Sequence, residues 1–506
     1  MRAIPILAAS LLATFSPAGA SLDWGPEERL TIAGTTSETG LNHGALAVDS
    51  WGRLTAAWAE QDGPNNNFRV HSRIRAVNGA WGPAEIAVDV HPNYAGAGLG
   101  AKFPALAFLP GDTLLLVWHD YRVDGINNLE LFTKTRAPGA AWGDSASETR
   151  LTTSDHPETN GDNSYLPNLA LDPAGTAHAA WYDFRFDGDN AEILFKSRAG
   201  GAWDVAPGDG PDENVSSNAG DSNFPTVAAG PDGSLHLAWR DNDGGSFRIR
   251  YLRRTPGGAW TDAAVLSAAG VPADGAHLAV DAGGTVIAAW ADSREGGKAV
   301  YSRERSPAGA WGPPVRVSPD GVGAEEPAVA VDGSGRRHVA WQDARVSLLN
   351  REVWHQSASA GGIWDSTGAS DTRVSDGSGK SSRPTLLLHA GRAFVLWQDA
   401  RHGKEEIYFR AAAEGHTGTA DGAPAVRVRA FPNPFRSRVR LDGVPEEIRE
   451  VRVLGVAGRM LAAFDAATMS WDGRDGAGRE TPPGVYFLLG REGTRWTRLG
   501  RVVRVP

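Results

Sequence analysis

Short apolar runs of five to nine residues recur along residues 21–414, separated by clusters of Gly, Pro, Asp and Asn, and this alternation predicts strands and turns. The fifth unit shows it most plainly: Ala276 to Val280, a turn at Asp281 to Gly284, Thr285 to Trp290, a loop, Ala299 to Glu304, a turn at Pro307 to Gly309, and Ala310 to Ser318. Four strands of this kind make one antiparallel sheet, which cannot bury both faces alone and must be stacked on neighbours.

Two series of Trp carry the repeat. The first closes the second strand of each unit at Trp58, Trp118, Trp181, Trp239, Trp290, Trp341 and Trp397, with spacings of 60, 63, 58, 51, 51 and 56 residues. The second stands at Trp81, Trp142, Trp203, Trp260, Trp311 and Trp364, each 21 to 24 residues after a member of the first, an offset that implies a locked hairpin. A unit of this size, repeated, indicates radial sheets that protect their edges. No Trp follows near position 420, whereas Trp24-Gly25-Pro26, running to Ile32, stands as an orphan fourth-strand phrase. The expected fold class is therefore all-β: a seven-bladed β-propeller closed by its N-terminal strand, with fourteen indoles as packing wedges, plus a small C-terminal immunoglobulin-like β-sandwich.

Composition narrows the setting. Arg2, an apolar run from Ile4 to Phe15 and the small residues Ala18, Gly19 and Ala20 read as an export signal over residues 1–20, cut near Ser21. No later segment is apolar enough to span a bilayer. Cys is absent, which excludes disulfides, thiol chemistry and Cys-based zinc sites. A formal net charge of -10 argues against nucleic acid and anionic membrane surfaces as partners. Residues 21–414 form the expected propeller, 415–425 a linker and 426–506 a second domain.

The turns between third and fourth strands read Ser197-Arg-Ala-Gly-Gly-Ala-Trp203, Arg254-Thr-Pro-Gly-Gly-Ala-Trp260, Ser306-Pro-Ala-Gly-Ala-Trp311 and Ser359-Ala-Gly-Gly-Ile-Trp364. These phrases resemble the BNR (Asp-box) repeats of the sialidase superfamily, with the Asp missing each time. The resemblance implies a propeller over roughly residues 21 to 414 and a glycan as ligand. In sialidases it would also imply an arginine cluster, a Tyr nucleophile paired with Glu, and an Asp acid/base. The Phe/Tyr-Arg-Ile-Pro phrase that usually carries the first Arg does not occur; Phe247-Arg248-Ile249-Arg250 comes nearest and falls inside a third strand.

In such a blade the loops from strand 2 to 3 and from strand 4 to the next strand 1 share one end. The first set carries Trp-x-Asp-x-Arg in full five times: Asp120 with Arg122, Asp183 with Arg185, Asp292 with Arg294, Asp343 with Arg345, and Asp399 with Arg401. Blades one and four depart from it, with Glu60 and Asp62 and with Asp241 and Asp243. One reading is a ring of charges around a channel mouth. The other, favoured because nearly every blade has the motif, is that each Asp ties down its loop and pairs with Arg, or that Arg pairs with an acid entering the third strand such as Glu130, Glu192, Glu352 or Glu406.

Function should break the repeat. The least regular loops are His91 to Lys102, Ser154 to Tyr165 and Pro207 to Asn223, holding Tyr94, Asp155, His156, Glu158, Asp162, Tyr165 and Asp221 as ligand-binding candidates. A Tyr beside acids suits a glycosidase; a solvated polar loop is the plainer reading. Oxygen-rich loops with Asp162, Asp187 and Asp189 offer a Ca²⁺ site without a recognised twelve-residue loop, and no cofactor is otherwise required.

The C-terminal phrases Phe431-Pro-Asn-Pro-Phe435, Val451-Arg-Val-Leu-Gly-Val-Ala-Gly-Arg459, Trp471-Asp-Gly-Arg-Asp475, Pro483-Gly-Val-Tyr-Phe487 and Arg501-Val-Val-Arg-Val505 resemble the FlgD-type immunoglobulin-like domain and the sorting domain of type IX secretion substrates. That resemblance implies the secretion machinery as a partner. The expectation is a monomeric secreted or surface protein that binds an extracellular glycan or protein without catalysis. Its rivals are an exo-glycosidase of sialidase type and a structural surface protein.

Overall fold

The computed structural model describes residues 22–31, 36–38, 45–92, 98–122, 129–152, 163–186, 190–199, 201–203, 212–347, 350–414, 429–431, 435–442, 448–455, 460–465, 470–492 and 495–505. They are all-β with two short 3-10 turns, and no helix among them is long and apolar enough to cross a membrane. The chain divides into two compact units, Met1–Gly415 and His416–Pro506.

The first unit contains seven antiparallel sheets. In chain order, their first and second strands are Leu46–Val48 and Leu54–Glu60; Lys102–Leu109 and Thr113–Asp120; Ser164–Leu171 and Ala177–Asp183; Ser222–Ala229 and Leu235–Asp241; Ala273–Val280 and Val286–Asp292; Glu325–Val331 and Arg337–Asp343; Ser381–His389 and Arg392–Asp399. Third strands follow, such as Glu192–Ala199, Arg248–Arg254, Ala299–Arg305 and Glu406–Glu414. Fourth strands are mostly short. Val315–Arg316 is a two-residue strand where nine residues were expected, because Pro313 and Pro314 cannot donate to the ladder. The seventh sheet takes its outer strand from the start of the chain: Leu22–Trp24 pairs antiparallel with Glu406–Glu414, and after Gly25 and Pro26 the pairing resumes at Glu28–Arg29.

An apolar layer lies between each sheet and the next. One holds Val117 and Leu131 of the second sheet with Ala179 and Trp181 of the third; another holds Leu54 and Trp58 of the first with Leu396 and Phe409 of the seventh. The second-strand Trp residues are 0 to 3 % exposed, each in such a layer. The fourth-strand series is only half-buried apart from Trp364, and it reaches back to the preceding sheet. Trp142 Nε1 donates to Ser72 Oγ at 2.9 Å, Trp24 Nε1 to Thr372 Oγ1 at 3.1 Å, and Trp260 meets Phe195 edge-on at 5.1 Å. The two indole series thus do different work, one filling the layers and the other sealing them.

In the second unit, a three-stranded sheet (Arg429–Phe431, Val439–Asp442, Ser470–Trp471) and a four-stranded one (Met460–Asp465, Ile448–Gly455, Gly484–Glu492, Arg495–Arg504) share one core around Val439, Leu441, Val451, Val453, Trp471, Leu488 and Val502.

Candidate functional site

The repeated Asp and Arg residues are spent on their own sheets. Each Asp is at most 1 % exposed and accepts the indole N–H of the Trp two residues before it, at 2.9 Å for Asp120 and 3.2 Å for Asp183. Its Arg partner pairs with it and, in the fifth to seventh sheets, covers a third-strand ring: Arg345 lies 4.0 Å from the Trp354 centroid, Arg401 4.1 Å from Tyr408, and Arg294 4.1 Å from Tyr301. A second acid completes the clamp for Arg122 (Glu148), Arg185 (Asp212), Arg345 (Asp371) and Arg401 (Glu27). The acids entering the third strand take other partners: Glu130 pairs with Arg150, Glu352 with Arg373, Glu406 with Arg29, and Glu192 accepts from Ser216. These groups face inward to their loops and offer no charged ring to a ligand.

A second repeated feature sits beside them. In the second to seventh sheets, two first-strand residues oppose the single buried Trp, giving a β-bulge whose first residue has a positive φ: Phe103 (51°), Leu166 (52°), Phe224 (53°), Gly275 (64°), Glu326 (52°) and Arg383 (53°). In five of the six a Pro follows, which has no N–H to lose to the ladder. Bulky side chains in this region cost roughly 1–3 kcal/mol each, strain that concentrates where a site needs re-aimed side chains.

The residue before each bulge pairs with the variable residue inside Trp-x-Asp, so the flanks repeat while the pair changes: Lys102 with His119, Tyr165 with Tyr182, Asn223 with Arg240, Asp274 with Ala291, Glu325 with Gln342, Ser382 with Gln398. This is the non-repeating tier of the molecule. Its signal in the sequence is the changing x of a constant motif, which composition and loop length do not reveal.

In the second, third and fourth sheets the tier becomes a continuous aromatic wall. Tyr165 and Tyr182 stack at 5.2 Å with 14° between planes; Tyr182 meets Phe184 at 5.9 Å and Phe224 at 5.7 Å; Tyr165 meets His119 at 5.8 Å, and Phe103 meets His119 at 4.8 Å. Phe103, Tyr165, Tyr182, Phe184 and Phe224 are half-buried, leaving part of each ring open. His119 lies sealed beneath them, 1 % exposed, and neither ring nitrogen meets a hydrogen-bond partner among the described residues. Burial, aided by the Lys102 charge, holds its imidazole neutral, far below the ordinary histidine range. Burial likewise raises both phenols, with Tyr165 and Asp221 adding to the effect on Tyr182, so both tyrosines stay protonated donors at neutral pH. Lys102 Nζ stands 3.8 Å over the Phe68 ring, and Arg240 lies between Phe224 (4.7 Å) and Phe247 (4.1 Å).

Of the candidates from irregular loops, Tyr165 is part of this wall. Asp221 is next to it but its oxygens hold the loop, accepting from Ala191 N at 3.1 Å and from Asn223 Nδ2 at 2.8 Å. Tyr94, Asp155, His156, Glu158, Asp162, Asp187 and Asp189 lie outside the described residues, and with them the proposed Ca²⁺ ligands.

No family model matches the chain, and no curated protein does. Solved structures do. An ulvan lyase of a polysaccharide lyase family, bound to -[GlcA(1-4)Rha3S]-, is similar over 76 % of this chain and 95 % of its own, with TM-score 0.50 and 9 % identity. A leech intramolecular trans-sialidase is similar over 77 % of this chain and 70 % of its own (TM-score 0.41, 11 % identity). A Penicillium chrysogenum alpha-L-arabinanase is similar over 68 % of this chain and 99 % of its own (TM-score 0.42, 16 % identity). The likeness to the ulvan lyase is one of fold.

Proposed function

We propose that the seven sheets are the blades of one closed β-propeller and that the aromatic wall at its bulged end is the binding site of an extracellular glycan. The stacked Tyr165–Tyr182 pair, continued by Phe184 and Phe224 across neighbouring sheets, carries this reading. Flat rings with polar tips cover the C–H faces of a sugar while the phenols bond its hydroxyls, and the strained bulges hold them in place. The activity named for the ulvan lyase is in keeping with a glycan at this fold. The leader-like N-terminus and the sorting-domain phrases of residues 426–506 complete the picture of an exported, monomeric surface protein.

A glycan array on the full chain, repeated with Tyr182→Ala, tests it. Binding that is lost in the variant, with its melting temperature kept, is expected; an array with no binding glycan refutes the reading.

A glycan-degrading enzyme is the second reading, favoured by the position of Tyr165. Burial keeps its hydroxyl protonated, which suits a proton donor better than a nucleophile. Turnover of fluorogenic sialosides, or of acidic polysaccharides with release of unsaturated products, would establish it.

A further inference from the structure

We propose that the ligand of this wall is an acid-bearing glycan, with Lys102 as the residue that selects for the acid. The proposal rests on the glycan-binding reading and adds its chemical class.

Three other lysines of this unit are neutralised: Lys134 by Glu148, Lys196 by Asp212, Lys298 by Glu325. Lys102 is not. It is half-buried at the start of the second sheet's first strand, and no ion pair or hydrogen bond joins it to any described residue. What holds it is the Phe68 ring, 3.8 Å from Nζ, and a cation held by a ring is positioned without being discharged. A half-buried charge without a counter-ion is costly, and an anion delivered by the ligand offsets that cost.

The neighbours leave this the natural place for an anion. His119, the cross-strand partner of Lys102, is neutral, as are Tyr165 and Tyr182, and the carboxylate beside the wall, Asp221, is engaged by Ala191 N and Asn223 Nδ2. At the far end of the same wall Arg240 gives one bond to Asn223 Oδ1 at 2.7 Å and stands 3.6 Å from Asp274, keeping further N–H donors in hand. A pyranose stacked on Tyr165 and Tyr182 therefore meets an undischarged ammonium on one side and a partly engaged guanidinium on the other. The shared chemistry is an anionic oxygen group on a sugar, supplied either by a uronic acid carboxylate or by a sulfate ester.

Calorimetric titration of the full chain decides it, with four probes: oligogalacturonate, its carboxyl-reduced neutral form, a sulfated galactan oligosaccharide and its desulfated form. At least one acidic probe is expected to bind roughly tenfold or more tightly than its neutral counterpart. Lys102→Met should remove that difference and Lys102→Arg should keep it, both with a melting temperature no lower than that of the native chain. The uronate and sulfate pairs tell the two sources of charge apart. Equal binding of acidic and neutral forms, or a preference that survives in Lys102→Met, overturns the proposal while leaving the glycan reading intact. Failure of every glycan to bind overturns both.

Discussion

The guanidinium of Arg250 stands 2.9 Å from the carboxylate of Asp241, in one of the two sheets that lack the loop arginine. Arg250 is the cross-strand partner of Trp239, a place held by Tyr301, Trp354 and Tyr408 in the sheets with the full motif. The fourth sheet thus supplies from its third strand the same group the others supply from the loop. In the six sheets that bury an Asp at this place, a cation stands on it, from either position.

Arg250→Ala should therefore destabilise the protein by about 2–3 kcal/mol, since it leaves a buried carboxylate uncompensated, moderated because the guanidinium is partly exposed. Moving the cation back, in the double variant Arg250→Tyr with Asp243→Arg, should recover most of that loss. Urea midpoints of the two single variants and the double one check this; a strictly additive double variant would mean that the two positions do not share one role.

Backbone strain at the bulges gives a second expectation. Arg383 has φ of 53° and its side chain is half-buried. Arg383→Gly should leave stability unchanged or raise it by up to about 1 kcal/mol, whereas Arg383→Val should lower it by about 1–2 kcal/mol, because a β-branched residue fits the left-handed region worst. Equal effects of the two substitutions would show that the bulge is not strained in solution.

The fold was legible because its signals are periodic. Trp58 to Trp397 and the second indole series mark two strands of every unit, and the orphan phrase at Trp24 pointed to the strand that pairs with Glu406–Glu414. The leader and linker expectations fall on residues 1–20 and 415–425, outside the described residues. Of the site, only Tyr165 was singled out. Lys102, Tyr182 and Arg240 were hidden because they alternate with buried repeat residues, and a period of two looks the same whichever residue fills the variable place. The bulges did have a sequence mark, Pro104, Pro167, Pro225, Pro327 and Pro384 inside central strands, which only makes sense once the strands are paired.

Acid should act through buried histidines. His236 Nδ1 lies 2.7 Å from Tyr251 Oη, and burial pushes its pKa down to about 4. The unfolded imidazole titrates near 6.5, so between these values the unfolded chain binds more protons. The stability owed to the neutral ring is fully present above about 6.5 and is lost as pH falls toward 4. Glu130, raised to about 7 by burial, works in the opposite sense over an overlapping range, so the comparison must be between variants. The stability difference between the native chain and His236→Gln should be constant above pH 7 and shrink by up to roughly 1.4 kcal/mol per pH unit below 6.5. A pH-independent difference in denaturant unfolding would contradict this.

If residues 426–506 are a sorting domain, their deletion should trap the protein in the periplasm of a host with a type IX system, with the first unit still folded. Fractionation with a blot against the first unit reads the outcome, and unchanged delivery to the surface would leave the second unit without that role.

The pairing of Leu22–Trp24 with Glu406–Glu414 also sets an order of events during biosynthesis. A chain emerging N-terminus first releases this strand long before its partner exists, so Trp24 must wait, unsheltered, through the synthesis of every intervening sheet. The seventh sheet and the apolar layer it shares with the first are completed only when both ends meet, a contact of very high sequence separation and hence slow to form. With no Cys anywhere to lock a partial product, the newborn molecule is most exposed to aggregation and proteases in the interval just before that last strand docks.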